Sequence, residues 1–190
     1  MGLNKKEMAS YGIGAVGKDM VYMFCASYIL YYYQDILGVS AIAMGIILLA
    51  ARVFDAFNDP IMGVVVAKTR TRWGKFRPWL FIGTLLNAVV LFLMFSAPPT
   101  LDGGGLVAYA AVTYVLWGVT YTMMDIPYWS IIPNLTSNPE EREKVSVLPR
   151  IFASIGQSLV IAGFGVQIIE ALSGGTTNQA GYHRFAIIIA

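Results

Sequence analysis

Charged residues are scarce in this chain, and that scarcity narrows its class. Only 13% of the 190 residues are charged, while 57% are hydrophobic and the mean hydropathy is +0.63. A typical soluble domain carries about 25% charged residues. The composition therefore excludes an ordinary soluble domain and predicts a membrane protein.

Cysteine and histidine are also nearly absent. Cys25 is the single cysteine, which excludes a disulfide framework. His183 is the single histidine, so the sequence offers no transition-metal cluster and no Ser–His or Cys–His pair in register for nucleophilic catalysis. We therefore predict that the protein is not an enzyme and uses no cofactor. A membrane enzyme is the rival class, and mutation of Asp55 combined with an assay of ligand uptake separates the two.

The apolar residues are concentrated in blocks, at roughly residues 20–36, 40–66, 79–97, 105–133 and 146–170, and another block opens at 184. A helix that rises about 1.5 Å per residue can cross about 30 Å of hydrocarbon in each complete block. The first block reaches back to about Tyr11 if Lys18 and Asp19 are tolerated inside it. The sequence therefore predicts an all-α, polytopic membrane bundle with five full transmembrane helices and the start of a sixth.

The sixth block, RFAIIIA, stops within its own apolar run. A membrane helix cannot end at a depth where its carbonyl groups find no partner. We therefore expect residues 1–190 to form the N-terminal transmembrane bundle, the six-helix half of a longer transporter, with the C-terminal half absent from this sequence.

Lysine and arginine are distributed unevenly among the polar connections. The segment AKTRTRWGKFRP, between the second and third blocks, contains five of them, whereas QDILGVS and APPTLDGGG contain none. Because positively charged loops stay in the cytoplasm, we expect a multi-pass protein of the cytoplasmic (inner) membrane, with this segment and the N-terminus inside. The same rule accounts for the basic cluster, so no nucleic-acid partner is predicted.

A glycine pattern near the N-terminus, GIGAVG at residues 12–17, matches the dinucleotide-binding fingerprint. That fingerprint requires a preceding strand and a βαβ unit, and only a short polar leader precedes it here. We instead expect Gly12, Gly14 and Gly17 to let a neighbouring helix approach closely.

The segment SNPEEREK contains the signals of a helix start. Asn138 can cap the helix and Pro139 can occupy its first position. The fifth transmembrane helix is therefore predicted to begin here, before the apolar block itself.

Three charges interrupt the second apolar block, in RVFDAFNDP at residues 52–60. An ionised side chain near the bilayer centre costs about 2.5 to 3.5 kcal/mol on insertion scales, and each large apolar residue returns about 0.3 to 0.6 kcal/mol. Three charges thus roughly cancel the apolar gain of the whole helix. Arg52, Asp55 and Asp59 lie at i, i+3 and i+7, with Asn58 beside them, so they form one stripe that must face protein or water.

Polar groups interrupt other apolar blocks as well, namely Lys18 and Asp19 in the first, Tyr121, Thr122, Asp125 and Trp129 in the fourth, and Arg150 in the fifth. Over the four blocks, three bases face four acids, and a bound cation or a proton would balance the excess charge. The oxygen atoms of the second-block stripe suit an alkali or alkaline-earth ion. The alternative is that the charges only form ion pairs between helices.

A weak internal repeat points to a transporter. Asp19-x-x-Tyr22 in the first block recurs as Asp125-x-x-Tyr128 in the fourth, and the second and fifth blocks each contain an arginine. A repeat of three helices followed by three helices would produce this pattern, and coincidence is the alternative.

Several motifs occur in an order that resembles a known family. These are SYGIGAVGKD, YYYQD, RVFDAFNDPIMG, TRTRWGKFRPW, YTMMDIPYWS and PRIFAS. Together they are similar to the glycoside–pentoside–hexuronide:cation symporters of the major facilitator superfamily, over essentially the whole chain. The resemblance implies cation-coupled symport of a sugar or glycoside across the cell membrane.

The resemblance also assigns roles to individual residues. It implies that the coupling cation is bound by Asp55, Asn58 and Asp59, with Thr122 close by. It implies that the sugar is bound by Lys18, Asp19, Asp125 and Arg150, with Trp129 as the aromatic platform under the sugar ring, and that Arg52 and Tyr121 link the two sites. We expect the coupling ion to be Na⁺ or Li⁺, with Asp55 and Asp59 as its charged ligands, in preference to H⁺, which requires only one carboxylate.

Two positions depart from the melibiose-type carriers that the chain otherwise resembles most. Those carriers have a tyrosine at the place of Ala26 and a phenylalanine at the place of Tyr128. A pentoside, a β-galactoside and a hexuronide therefore remain equally consistent substrates. A proton-coupled exporter of another small solute, from the same superfamily, is the nearest alternative function.

Overall fold

A computed structural model of the chain describes residues 5–135, 138–161, 164–174 and 179–189. Its helices are α1 (Lys5–Tyr31), α2 (Ala41–Lys68), α3 (Arg77–Met94), α4 (Gly103–Ser130), α5 (Ile132–Leu135), α6 (Pro139–Ile161), α7 (Phe164–Ser173) and α8 (Gln179–Ile189). Every regular element in these ranges is helical, and five helices are long and apolar enough to cross a membrane. The all-α prediction with five full transmembrane helices is confirmed.

The helix ends follow local sequence signals. Ser40 caps α2, because its hydroxyl accepts a hydrogen bond from the Ala43 N–H at 3.2 Å. As predicted, α6 begins at Pro139, and Asn138 contributes its carbonyl to the first turn through the Arg142 N–H at 2.9 Å. α1 continues into a π-helical turn, Tyr32–Ile36, and the chain then bends at Gly38, where φ is 74°.

Three boundaries differ from the sequence prediction. α1 begins at Lys5, earlier than Tyr11, and the helix predicted to start at 184 begins at Gln179. The fourth apolar block, predicted to reach 133, is interrupted after Ser130 and resumes as the short helix α5. Apolar blocks mark the part of a helix that lies in hydrocarbon, whereas hydrogen bonding also extends helices into polar sequence.

Four of the long helices pack as two parallel pairs, because the contacts advance in the same direction along both members of each pair. α1 packs along α6, which is the fifth transmembrane helix, and α4 packs along α2, with α3 on its other side. In a three-plus-three repeat, the first transmembrane helix corresponds to the fourth, and the second corresponds to the fifth. The pair formed by the first and fifth helices then corresponds to the pair formed by the fourth and second. The packing therefore has the pairing that a three-plus-three repeat produces.

Glycines allow the closest helix contacts, but not all of those predicted. A Cβ at Gly12 would lie 3.0 Å from the Phe152 ring, and one at Gly14 would lie 3.7 Å from the Tyr128 ring. The prediction for Gly17 is wrong, because a Cβ there would meet nothing within 4 Å. The tightest contact between α1 and α6 is at Gly156, where a Cβ would lie 2.6 Å from the Val16 carbonyl oxygen.

Tyrosine hydroxyls form hydrogen bonds between α1 and α3 at the end of the bundle that is remote from the basic loop. Tyr32 donates to the Phe95 carbonyl at 3.0 Å, and Tyr33 donates to the Met94 carbonyl at 2.8 Å. The last four carbonyls of a helix have no partner within that helix, and both acceptors lie at the end of α3. The end of α1 is therefore attached to the end of α3.

Candidate functional site

Lys18 is a buried lysine surrounded by polar partners. Its ammonium donates hydrogen bonds to the Tyr121 hydroxyl at 2.9 Å and to Asp125 Oδ1 at 2.6 Å. It also forms an ion pair with Asp19 Oδ2 at 3.3 Å, while only 4% of its side chain is exposed. A buried charge is tolerated only when it is paired and hydrogen-bonded, so α1 and α4 must present these groups together.

Asp125 joins the lysine to an aromatic surface. The Trp129 indole N–H donates to Asp125 Oδ1 at 3.0 Å, one helical turn away. The Lys18 ammonium lies 5.7 Å from the Trp129 ring centroid, and the Arg150 guanidinium carbon lies 6.0 Å from the same ring. The five residues assigned to the sugar from sequence are thus adjacent, although Arg150 is exposed and reaches the group only through the Trp129 ring.

Gln157 was not predicted, and it completes the surroundings of Asp19. Its side-chain amide donates to Asp19 Oδ1 at 3.3 Å, from α6 to α1. Gln157 lies seven residues after Arg150, hence on the same face of α6 two turns later. The spacing of seven residues from Arg150 was the one signal in the sequence that could have identified Gln157. An uncharged side chain among other polar residues is not conspicuous, so it was missed.

The charged stripe of α2 faces α4. The Thr122 hydroxyl donates to Asp59 Oδ1 at 3.0 Å. Gly118 leaves room for the second aspartate, since a Cβ there would lie 3.2 Å from Asp55 Oδ1. Arg52 Nη1 lies 3.8 Å from Asp55 Oδ2, and 63% of the Arg52 side chain is exposed, so this ion pair contributes little to stability.

The charged residues of the candidate site differ in how far they are buried. Lys18 and Asp19 are buried, but Arg52, Asp59 and Arg150 are exposed in the described part of the chain. Lys18 and Asp125 do form an ion pair between helices, because Lys18 Nζ lies 2.6 Å from Asp125 Oδ1.

A cavity of about 140 Å³ lies beside the α2 stripe and borders the residues assigned to the sugar through Asp125. Its walls include the stripe of α2 and the polar face of α4, namely Arg52, Asp55, Asp59, Tyr121, Thr122 and Asp125. Asp125 contacts Lys18 on one side and lines this cavity on the other. Asp125 would therefore lie between a ligand bound near Lys18 and an ion bound near Asp59, as a shared wall of the two sites.

Unsatisfied polar atoms cluster in the same region. Within the ranges that the structure describes, the buried side-chain atoms without a hydrogen-bond partner are Asp19 Oδ2, Asn58 Nδ2 and Trp117 Nε1. Asp19 belongs to the lysine group, Asn58 precedes Asp59, and Trp117 lines the cavity. Buried polar groups are normally hydrogen-bonded, so each of these atoms has capacity for one more polar partner.

A metal site of three or more acidic, histidine or cysteine ligands does not occur among the described residues. Two carboxylates, Asp55 and Asp59, are the charged groups that the α2 stripe offers. Further oxygens for a cation would have to come from neutral groups such as the Asn58 amide and the Thr122 hydroxyl. This donor set of hard oxygen ligands fits a weakly bound alkali cation.

Comparison with known proteins identifies the family. Residues 10–190 match the family described as MFS/sugar transport protein. The isoprimeverose transporter of Lactiplantibacillus pentosus is 34% identical over 185 residues, covering 97% of this chain and 38% of that protein. The glucuronide carrier protein homolog of Escherichia coli (strain K12) is 34% identical over 188 residues, covering 99% and 41%. The inner membrane symporter YicJ of the same strain is 36% identical over 157 residues, covering 83% and 34%.

The chain therefore belongs to the MFS/sugar transport protein family, a family of transporters rather than enzymes, within the major facilitator superfamily. This confirms the resemblance drawn from its motifs and the class of multi-pass membrane protein. The five membrane-length helices are consistent with the N-terminal half of a major facilitator fold. The chain spans 34% to 41% of the length of these three relatives.

Proposed function

We propose that this chain is the N-terminal half of a secondary active transporter that couples a cation to the symport of a sugar or glycoside across the cytoplasmic membrane. The observation that carries the proposal is the shared wall at Asp125. This carboxylate accepts from Lys18 and Trp129 and also lines the cavity that contains Asp55 and Asp59. Symport requires two sites whose occupancies affect each other, and a shared wall provides a physical route for that coupling.

The sugar site consists of groups suited to hydroxyls. Asp19 and Asp125 accept hydrogen bonds, whereas Lys18 and Arg150 donate them, and charge-assisted hydrogen bonds are the stronger kind. The Trp129 ring offers an apolar face against which the C–H side of a sugar ring can stack. In the described part of the chain Asp19 Oδ2 has an ion pair with Lys18 but no hydrogen-bond partner, so it is the acceptor that a sugar hydroxyl would satisfy.

The cation site consists of the α2 stripe and its neighbour on α4. Asp55 and Asp59 supply negative charge, and Asn58 and Thr122 supply neutral oxygens. Thr122 already contacts Asp59 at 3.0 Å, so small rotations of the two side chains would bring both oxygens to one ion. Na⁺ or Li⁺ uses all four groups, while H⁺ uses one carboxylate, and this difference favours the alkali ion as the coupling cation.

Arg52 and Tyr121 lie between the two sites. Both line the shared cavity, Tyr121 accepts from Lys18, and Arg52 pairs with Asp55. When a cation neutralises Asp55, Arg52 loses its attraction to that carboxylate and becomes available to the sugar side. We assign the two residues as the coupling link.

Uptake by the complete protein in proteoliposomes tests the function. We expect a sodium gradient to drive accumulation of at least one radiolabelled glycoside from a panel of α- and β-galactosides, a β-xyloside and a β-glucuronide. Vesicles that lack the protein and vesicles with equal sodium on both sides are the controls. Proton-driven efflux of an unrelated solute without glycoside uptake would instead support the exporter alternative.

The orientation is a separate proposal, with the N-terminus and the connections after α2 and α4 in the cytoplasm. The loop between α2 and α3 contains Lys68, Arg70, Arg72, Lys75 and Arg77, and the loop before α4 contains none of these residue types. In a cysteine-free background, a cysteine at position 102 should react with an impermeant thiol reagent added to intact cells, and a cysteine at 75 should react only after permeabilisation. The reverse pattern would refute the orientation.

A further inference from the structure

Tyr11 on α1 and Tyr128 on α4 form a reciprocal pair. The Tyr11 hydroxyl donates to the Tyr128 carbonyl at 2.6 Å, and the Tyr128 hydroxyl donates to the Tyr11 carbonyl at 2.6 Å. The two rings stack with centroids 4.4 Å apart and planes 6° from parallel. This pair, here named the tyrosine clasp, joins the first turns of α1 to the last turn of α4.

Local sequence makes the clasp possible. Tyr128 lies in the last turn of α4, where carbonyls have no partner within the helix, so the Tyr11 hydroxyl satisfies one of them. Gly14 follows one turn after Tyr11, and a larger residue there would press on the Tyr128 ring, which lies 3.7 Å from the position of a Cβ. The glycine pattern near the N-terminus thus makes space for the clasp.

The clasp is the neighbour of the sugar site. Tyr128 lies between Asp125 and Trp129 in sequence, its ring centroid lies 5.6 Å from the Lys18 ammonium, and it meets the Trp129 ring edge-on at 5.3 Å. α1 packs mainly on α6, and α4 packs mainly on α2 and α3. The relative position of α1 and α4 near the site therefore depends on a few direct contacts, and the clasp supplies two hydrogen bonds among them.

We propose that the hydroxyl groups of the tyrosine clasp position the two sides of the sugar site. They hold Asp125 and Trp129 on α4 at a fixed distance from Lys18 and Asp19 on α1, so that one sugar can contact both sides. Tyr11 and Tyr128 are positioning residues, which act through these four and need not touch the sugar. The inference rests on the proposed function for its ligand.

The cation site should be insensitive to the clasp. Its carboxylates lie on α2, and Thr122 lies six residues before Tyr128, closer to the middle of α4. Loosening the last turn of α4 changes the place of Trp129 and Asp125 first. A positioning role therefore predicts weaker sugar binding at unchanged sodium binding, whereas a general stabilising role predicts that both fall together.

Phenylalanine variants of the complete protein isolate the hydroxyl groups. Tyr11→Phe and Tyr128→Phe each remove one hydrogen bond and keep the stacked rings, and the double variant removes both. We expect the Kd and the uptake KM of the glycoside that wild type binds best in the panel above to rise about fivefold in each single variant and about tenfold or more in the double variant. We expect maximal uptake velocity and sodium binding without sugar to change less than about twofold.

Tyr109→Phe is the matched control. Tyr109 also lies on α4 and also donates to a main-chain carbonyl at 2.6 Å, that of Leu93, but it lies near the other end of the helix. The positioning role predicts that this variant keeps wild-type sugar affinity. Equal losses in Tyr109→Phe and the clasp variants, or parallel losses of sugar and sodium binding, would overturn the inference.

A measurement without sugar separates the inference from the proposed function. Hydrogen–deuterium exchange of the sugar-free protein reports opening of the last turn of α4, at residues 124–131. We expect faster exchange there in the double variant and no change in Tyr109→Phe. If wild type binds no glycoside, the proposed function fails, and unchanged exchange in the double variant would still overturn the clasp by itself.

Discussion

Asp125→Asn is expected to abolish glycoside binding while the protein remains inserted in the membrane. The amide keeps the shape of the carboxylate but removes the charge that accepts from both Lys18 and Trp129. A hydrogen bond from a sugar hydroxyl to a charged group contributes about 1.5 to 3 kcal/mol, so each such bond lost at Asp125 lowers affinity by at least about tenfold, and the displaced Lys18 and Trp129 weaken binding further. Binding measured by isothermal titration with the panel glycoside that wild type prefers is the appropriate assay.

Asp19→Asn is expected to have a comparable effect from the other helix. Its Oδ1 accepts from Gln157 and its Oδ2 faces Lys18, so the variant weakens both the lysine group and the acceptor offered to the sugar. Asp35→Asn, at an exposed position in the π-helical turn that follows α1, removes the same charge at a distance from the site and should leave binding intact. Wild-type sugar affinity in Asp19→Asn or Asp125→Asn would eliminate the assigned site.

Asn58→Ala is expected to remove the dependence of sugar affinity on sodium. By reciprocity, if bound sodium raises sugar affinity, bound sugar must raise sodium affinity by the same factor. The Asn58 Nδ2 atom is buried without a hydrogen-bond partner in the described part of the chain, so its amide does not serve as a donor between helices. A role as cation ligand, through the carbonyl oxygen of the same amide, is the proposal that this variant tests. Sugar titrations at several sodium concentrations and fixed pH measure the dependence.

Asn87→Ala provides a contrasting control for a buried amide. Asn87 on α3 donates to the Trp117 carbonyl at 3.3 Å and to the Thr120 hydroxyl at 3.0 Å, so its role is to hold α3 against α4. This variant should lower thermal stability and keep the dependence of sugar affinity on sodium. Asn58→Ala should instead remove that dependence and keep thermal stability. Sugar binding that ignores sodium in the wild-type protein and follows pH would replace the alkali ion with a proton.

The sequence determined the class and the composition of the candidate site, because both depend on residues that a membrane tolerates poorly. Apolar blocks of helical length admit only membrane helices, since the bilayer satisfies no backbone groups. A charge in such a block stands out against its surroundings, and for that reason Lys18, Asp55 and Asp125 could be identified individually. The start of α6 at Pro139 was also readable, because capping chemistry is local.

Which groups meet depends on how the helices pack. Neither Gln157 beside Asp19 nor the opening that Gly118 leaves for Asp55 could be read from spacing, because both contacts join different helices. The spacing of Arg52 and Asp59 defines one polar face of α2, but it does not define which helix packs beside that face. Likewise, Tyr11 and Tyr128 are ordinary apolar-block tyrosines until α1 and α4 are packed. Contacts between residues 117 positions apart depend on helix packing, whereas helix formation depends on neighbours within a turn.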